Sequence, residues 1–417
     1  MAENGVTIRC PNGRVGEIGI VNGVEYEVVD RNLLIQRRDQ GEDLTKVCTS
    51  LVTNMSSMFN GRAFNQPIGN WDVKNVNNME QMFNQSAFDQ PIGNWDVSKV
   101  TSMRFMFNET KFNQNISKWD VGNVTNMESM FSRSLFNQPI GNWNVSNVTN
   151  MFGMFAQTSF NQPIGNWDVK NVNNMEQMFN QSAFDQPIGN WDVRGVTNMS
   201  WMFYNSPFNQ PIGDWNVSNV LDMNHMFRLA KSFNQDISKW NVRSVLDMSS
   251  MFGGASSFNQ PIGNWNVSNV TNMSSMFDRS VFNQLINNWD VSNVTNMQGM
   301  FHISQFNQPI GSWNVSNVRN MFQMFHNSPF NQSLSNWNVG NVTDMKQMFH
   351  NTPFNQPIGN WSVSKVISMN QMFQSSSFNQ NINKWCVSLL SSEPLDFSSG
   401  SPLTQQNKPI WGTCPFN

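Results

Sequence analysis

The chain has 417 residues, a formal net charge of −3 and only 13% charged residues, so it lacks a broad basic face for nucleic-acid phosphates. It contains no run of about 18 apolar residues, which argues against a transmembrane segment. Aromatic residues make up 12% of the chain. Their regular spacing predicts a folded core despite the abundance of Asn, Ser and Gln.

The first 50 residues do not repeat, and they predict a small α+β cap. Residues 6–10 predict a short strand, and residues 19–29 predict a hairpin around an Asn22-Gly23 turn. Asp30 is typical of the N-cap of a helix that continues through Leu33, Leu34 and Ile35. We therefore assign residues 1–50 to an N-terminal cap, which is needed to cover the apolar end of a repeat array.

From residue 51 to residue 388 one pattern recurs, seen at its clearest in residues 258–277. Its tryptophans, from Trp71 to Trp385, are 24 residues apart, or 25 at two steps. A fixed period of about 20–29 residues is the signature of leucine-rich-repeat solenoids. The sequence therefore predicts an α/β repeat solenoid, a right-handed coil of about 14 units with caps at both ends, the C-terminal cap being residues 389–417.

Apolar residues recur at fixed positions of the unit when Phe258 is counted as position 1. Positions 5, 8 and 10 match the strand of a leucine-rich repeat, which predicts a parallel sheet on one face. In such a strand Trp265 and Val267 point inward, and the polar residues at positions 7, 9 and 11 point outward. Positions 13, 16, 19 and 20 have helical spacing, so a short helical or 3-10 segment is expected on the other face. The tryptophan and methionine columns are therefore predicted to form the core.

Four cysteines lie in two pairs, one at each end of the repeats. This arrangement predicts the disulfides Cys10–Cys48 and Cys386–Cys414 and an oxidising compartment. The alternative is four buried thiols in a cytosolic protein. Residues 1–5 lack a basic stretch followed by an apolar one, so no secretory signal is expected there.

The phrase Phe-Asn-Gln-x-Ile-x-x-Trp-Asp-Val-Ser-Asn-Val-Thr-Asn-Met-x-x-Met-Phe, as in residues 282–301, resembles the repeat of the BspA-like leucine-rich-repeat surface proteins. The resemblance extends over residues 51 to about 388. The flanks at residues 43–50 and 408–414 are similar to those of such domains in Bacteroidota. The resemblance implies an extracellular or cell-surface location, a role in adhesion or protein binding, and often export as type IX secretion cargo.

Position 9 provides the first candidate binding surface. Asp and Asn alternate there, and the acidic members are Asp72, Asp96, Asp120, Asp168, Asp192 and Asp290. One interpretation is a surface that binds an extended protein or glycan. The other is a ladder of Asn and Asp side chains that bond one another between repeats. Both interpretations remain open.

Four aromatic residues interrupt the polar side of the segment expected to be helical. Phe105 and Trp201 occupy position 18, and Phe152 and Phe322 occupy position 17. Exposed aromatic rings stack on sugars or anchor a partner, although isolated ones are often partly covered by their neighbours. Trp201 is the strongest single candidate for a contact.

His302, His326 and His350 form one column in three consecutive repeats. A metal site or a pH switch is conceivable, but repeat copying explains the column equally well, and no carboxylate is fixed beside it in the sequence. No catalytic motif or phosphate-binding loop occurs, so neither enzymatic activity nor a cofactor is expected.

The sequence thus predicts a monomeric, non-enzymatic adhesion module with an extracellular protein or glycan partner, and with the export machinery as a further candidate partner. Two alternatives are a carbohydrate-binding surface protein and a passive spacer or secretion cargo.

Overall fold

The fold is described from a computed structural model covering residues 1–415. Residues 416 and 417, the end of the predicted C-terminal cap, lie outside the described part. The elements before the repeats are β1 (Ile18–Val21), β2 (Val24–Val28), α1 (Arg31–Asp39), a 3-10 helix (Leu44–Lys46) and β3 (Val47–Cys48). They form a three-stranded sheet in the order β1-β2-β3, in which β1 pairs antiparallel and β3 pairs parallel with β2.

Local chemistry explains most of this cap. Asn22 and Gly23 adopt φ values of 53° and 80°, which a tight hairpin turn requires. Asp30 caps α1, since its side chain accepts a hydrogen bond of 2.8 Å from the backbone N–H of Leu33. The strand predicted at residues 6–10 is absent. Ile8 is buried instead, and its N–H donates a single bond of 2.9 Å to the carbonyl of Asn70.

The chain divides into two compact units, Met1–Val196 and Thr197–Asn417. In both, the tryptophans at position 8 are 1–4% exposed, and the methionines of the repeats are fully buried. The prediction that these two columns form the core is therefore confirmed. Equivalent indoles of adjacent repeats stack nearly parallel, as in Trp265 on Trp240, whose ring centroids are 6.3 Å apart.

Adjacent repeats pair in parallel through backbone hydrogen bonds in the Asn-Met-x-x-Met-Phe segment, positions 15 to 20. Isolated bridges join the residues at position 15, from Asn54 to Asn174 in the first unit and from Asn198 to Ser368 in the second. Alternate N–H groups then donate to the next repeat; that of Phe277, for example, bonds to the carbonyl of Met300 at 2.9 Å. This segment, for which the sequence predicts helix, therefore carries the inter-repeat ladder.

The ladder segment is a series of tight turns. In the repeat that contains Ser275, the N–H of Met276 bonds back to the carbonyl of Met273 at 3.2 Å. Ser275 at position 18 and Arg279 at position 22 both adopt left-handed conformations, with φ of 55° and 54°. A three-residue turn brings residues i and i+3 to one side, as a helix does, so the methionine spacing alone does not distinguish the two.

The segment predicted as strand, positions 5 to 10, contains no assigned strand in any repeat. Between residues 49 and 404, all of them described, the structure has no helix and no strand longer than a single bridge. Around Trp265 the links are a turn bond from its backbone N–H to the carbonyl of Ile262 and a bond of 3.1 Å from its indole N–H to the carbonyl of Ile237. At this part of the repeat, adjacent repeats are therefore linked by the indole N–H of the tryptophan and not by backbone strand pairing.

A second ladder of side chains begins each repeat. The side-chain oxygen of Asn307, at position 2, accepts bonds from the backbone N–H of Asn331 at 2.9 Å and from the amide of Gln332 at 3.2 Å. Asp89 takes the same role with Asn113 and Gln114. The Phe-Asn-Gln phrase is thus an inter-repeat amide ladder.

The two 25-residue units accommodate their extra residue by a local change. In a 24-residue unit the backbone N–H of Phe282 donates a hydrogen bond of 3.0 Å to the hydroxyl oxygen of Ser280. In the longer units this hydroxyl is replaced by a backbone turn, in which Phe233 and Phe258 donate to the carbonyls of Ala230 and Ala255 at 3.2 and 3.1 Å. The buried phenylalanine keeps its place in either case.

The caps contain disulfides that link Cys10 to Cys48 and Cys386 to Cys414, over separations of 38 and 28 residues. Beyond the repeats a short 3-10 helix (Gln405–Asn407) and the following segment return to the final unit. The N–H of Val387 donates to the carbonyl of Thr413 at 2.9 Å, next to the second disulfide.

Candidate interaction surface

The position-9 side chains lie at the surface and form turns. Asp120 and Asp290 are exposed, and each accepts a bond of 3.0 Å from the backbone N–H two residues ahead. Asp96 is half-buried and also accepts the hydroxyl of Ser98 at 2.6 Å. Asn266 makes the same turn with Ser268 at 3.1 Å. The column is therefore a series of Asx turns within single repeats.

Asp72 does not belong to an accessible column. Only 6% of it is exposed, and its carboxylate accepts the hydroxyl of Ser50 at 2.6 Å and lies 3.8 Å from the guanidinium of Arg9. The N-terminal cap covers this residue and pairs its charge, so of the predicted binding residues Asp72 is the least accessible to a partner.

Asp168 and Asp192 each form an ion pair with a basic side chain of the same turn. Lys170 lies 2.8 Å from Asp168, and Arg194 lies 2.6 Å from Asp192. The hydrogen bonds from these cations hold the pKa of each carboxyl below its usual value. Both carboxylates are thus charged at neutral pH, and each carries a basic neighbour.

Trp201 is half-buried in an aromatic cluster. Its ring stacks on that of His225 with centroids 4.0 Å apart, and it contacts Tyr204 at 4.7 Å. Burial and the nearby Arg228 lower the pKa of His225 to about 4, so this imidazole is neutral at pH 7. Stacking on His225 covers one face of Trp201, so that face is closed to a partner.

The other three predicted aromatic residues are also half-buried. The guanidinium of Arg104 lies 4.8 Å from the ring of Phe105, and the ammonium of Lys346 lies 5.7 Å from that of Phe322. Such cations stabilise a partly solvated ring. Phe105 and Phe152 line a common cavity, whereas Phe322 does not line it.

The three histidines form a stack, with ring centroids 4.9 Å apart between His302 and His326 and 4.6 Å apart between His326 and His350. The sequence pattern predicts no carboxylate beside these histidines. The structure shows one, since Asp278 of the preceding repeat lies 2.6 Å from Nδ1 of His302. Burial and the adjacent imidazoles lower the pKa of His326 to about 4, and burial also lowers that of His350. Rings stacked face to face do not direct their nitrogens at one point, and among residues 1–415 no group of three or more His, Cys, Asp or Glu is arranged to hold a metal.

The repeats, the two disulfides and the regular polar surface define a class, the tandem-repeat surface proteins. Six overlapping matches identify the family within it, at residues 31–135, 85–186, 108–207, 180–281, 262–352 and 303–409. The chain belongs to the family described as "Mycoplasma protein of unknown function, DUF285". No curated protein matches the chain. Within residues 1–415 no helix is long and apolar enough to cross a membrane.

Proposed function

We propose that this protein is a non-enzymatic interaction module that works outside the cell or at its surface, and that in each unit the repeats stack as a leucine-rich-repeat-like solenoid. The inter-repeat ladder and the buried tryptophan and methionine columns support the stacking. The two disulfides support an oxidising compartment. Assignment to the Bacteroidota type and export by the type IX system rest on the resemblance of the flanking segments.

The partner in this proposal is an extended protein that contacts the position-9 face. The main support for this partner is the fixed orientation of the position-9 side chains. The Asx turns of Asp120 and Asp290 hold each carboxylate in one geometry. Preorganised polar groups bind at a smaller entropic cost than mobile ones. An array of carboxylates and amides at regular intervals suits a partner with regularly spaced basic and amide groups.

The test is binding to a panel of immobilised matrix proteins, measured for the native protein and for a variant with Asp120→Asn, Asp168→Asn and Asp290→Asn. Asn occupies the same position with the same turn at Asn266, so the fold is retained. The proposal expects weaker binding and a reduced dependence on salt. Asp89→Asn, at position 2, is the matched control for Asp120→Asn measured alone, because each removes one negative charge. Equal losses in these two single variants, or no binding to any panel member, would refute this partner.

A further inference from the structure

A small cavity of about 240 Å³ opens in the first unit on the ladder segment. Phe105 and Phe152 lie among its walls, and Gly153 and Ala156 lie between them. We call this cavity the notch. It lies outside the position-9 column and shares no residue with it.

Small side chains in two consecutive repeats create the notch. Position 18 carries Gln at 81, 177, 323, 347 and 371 and a small residue at 57, 129, 153, 250, 275 and 299; Ser129 and Gly153 are the two in the notch. At position 21, where Asn is frequent, it has Ser132 and Ala156. Gly153 adopts φ of 56°, and a Cβ at that residue would lie 3.0 Å from the hydroxyl of Ser129. The space exists because both columns carry small side chains in these two repeats, between Phe105 and Phe152.

Two serine hydroxyls at the wall of the notch form no hydrogen bond within the described chain. Ser129 and Ser132 are only 4% and 9% exposed, both line the notch, and neither side chain forms a hydrogen bond with any residue from 1 to 415. The nearby Ser134, 3% exposed, shows the usual arrangement, since its hydroxyl bonds to the carbonyl of Phe131 at 2.7 Å. Neither hydroxyl is among the fully buried side-chain atoms that lack a partner, so both remain accessible and free to bond to a ligand in the notch.

The rim of the notch holds its charged and amide groups in a fixed network. Arg133 donates to the carboxylate of Glu109 at 2.9 Å and to the amide oxygen of Gln157 at 3.1 Å. The network leaves further donors and acceptors on all three side chains. Thus the notch combines aromatic walls, two unbonded hydroxyls and an oriented polar rim.

We propose that the notch binds a single pyranose ring of an oligosaccharide. The apolar C–H face of the sugar packs against Phe105 and Phe152, while its hydroxyls bond to Ser129, Ser132 and the rim. The volume is below the roughly 300–1,000 Å³ of pockets for drug-sized ligands, which suits one ring. An aromatic side chain of a protein partner fits less well, because it offers at most one hydroxyl to the two serines and the polar rim, whereas a pyranose offers several.

The probes are the methyl glycosides of glucose, galactose, mannose and N-acetylglucosamine, with binding measured by saturation-transfer NMR on the full chain. Oligosaccharides on an array extend the panel. A shallow site for one ring predicts affinities of about millimolar for the monosaccharides. At least one of these pyranosides should bind.

Two variants fill the notch with side chains that other repeats already carry. Ala156→His copies His302, which follows Gly299 in the equivalent place, and Gly153→Gln copies Gln177. Gln177 has φ of 57°, so glutamine is accommodated in this backbone conformation. Each variant should weaken pyranoside binding by at least about tenfold, because its side chain occupies the ring's volume. Phe322→Ala, at position 17 outside the notch, is the control and should leave binding unchanged.

Three results would overturn the proposal. They are no binding of any pyranoside, binding that survives both filling variants, and preferential binding of p-cresol, which mimics a tyrosine side chain. Urea midpoints equal to that of the native protein show that a variant is folded, and having two variants means that misfolding of one still leaves a test. Loss of matrix-protein binding in the Asp→Asn variant does not bear on this result, since the two surfaces are separate.

Discussion

The amide ladder at position 2 gives a quantitative prediction about what joins neighbouring repeats. Asn307 accepts two hydrogen bonds from the next repeat, of 2.9 and 3.2 Å. Replacing it by alanine removes both acceptors and leaves the half-buried N–H of Asn331 without a partner. At about 0.5–1.5 kcal/mol for each bond, Asn307→Ala should lower the free energy of unfolding by about 1–3 kcal/mol.

The chain itself supplies the control. Asp89 accepts the equivalent bonds at 3.0 and 2.9 Å, so Asn307→Asp should retain both acceptors and cost much less than alanine. Gln305→Ala, at an exposed site nearby whose side chain makes no hydrogen bond in the described chain, should be close to neutral. Urea denaturation followed by tryptophan fluorescence measures all three variants. If Asn307→Ala and Asn307→Asp were equally stable, the ladder would not be what holds the repeats together here.

Three further outcomes are expected. Trp265→Phe removes the indole hydrogen bond to Ile237 and part of a stacked ring, so the urea midpoint should fall by an amount equivalent to about 2–4 kcal/mol. The control Trp201→Phe should change the midpoint far less. Equal losses in the two variants would contradict the core role of the tryptophan column. Cys386→Ser should destabilise the protein by about 4 kcal/mol in the chain-entropy model, measured without reductant, and no change would show that this disulfide does not constrain the unfolded chain. The folded pKa of His326, about 4, lies below its unfolded value near 6.5, so its contribution to stability is present above about pH 6.5 and is lost as the pH falls toward 4. Urea midpoints across this range should show a shallower slope for His326→Gln, and an unchanged slope would refute that contribution.

Much of the core could be predicted from sequence, because burial follows composition and spacing. Trp265 and Met276 recur at fixed intervals, and only an interior site explains such large apolar side chains in a chain so rich in Asn and Ser. The hairpin turn at Asn22 and the cap at Asp30 were also predictable, since each depends on chemistry within three or four residues.

The location of the ladder could not be predicted in the same way. A series of tight turns and a helix both place Met273 and Met276 on the same side of the segment. Serine rarely adopts a left-handed conformation, so nothing in the sequence indicated the positive φ of Ser275. The strand-like alternation around Trp265 arises instead from a turn and an indole bond.

The sequence of one repeat also does not show which side chains of neighbouring segments contact it. The carboxylate beside His302 comes from Asp278, 24 residues earlier, and the cover over Asp72 comes from Ser50 in the cap. The notch also arises between repeats, but its signal was present in the sequence, since small residues at positions 18 and 21 of two consecutive repeats lie between Phe105 and Phe152. Comparing each column down the repeats, rather than each repeat alone, would have found it.

The backbone turn that replaces the serine hydroxyl in the two longer units has a practical consequence. Lys231 and Ser256 sit on the outside of that bend, while Phe233 and Phe258 behind it stay fully buried. Repeat length is therefore not dictated by the interior, and copies of unequal length arising from replication slippage can persist side by side. The same bend is a natural location for grafting a tag, an epitope or a binding loop.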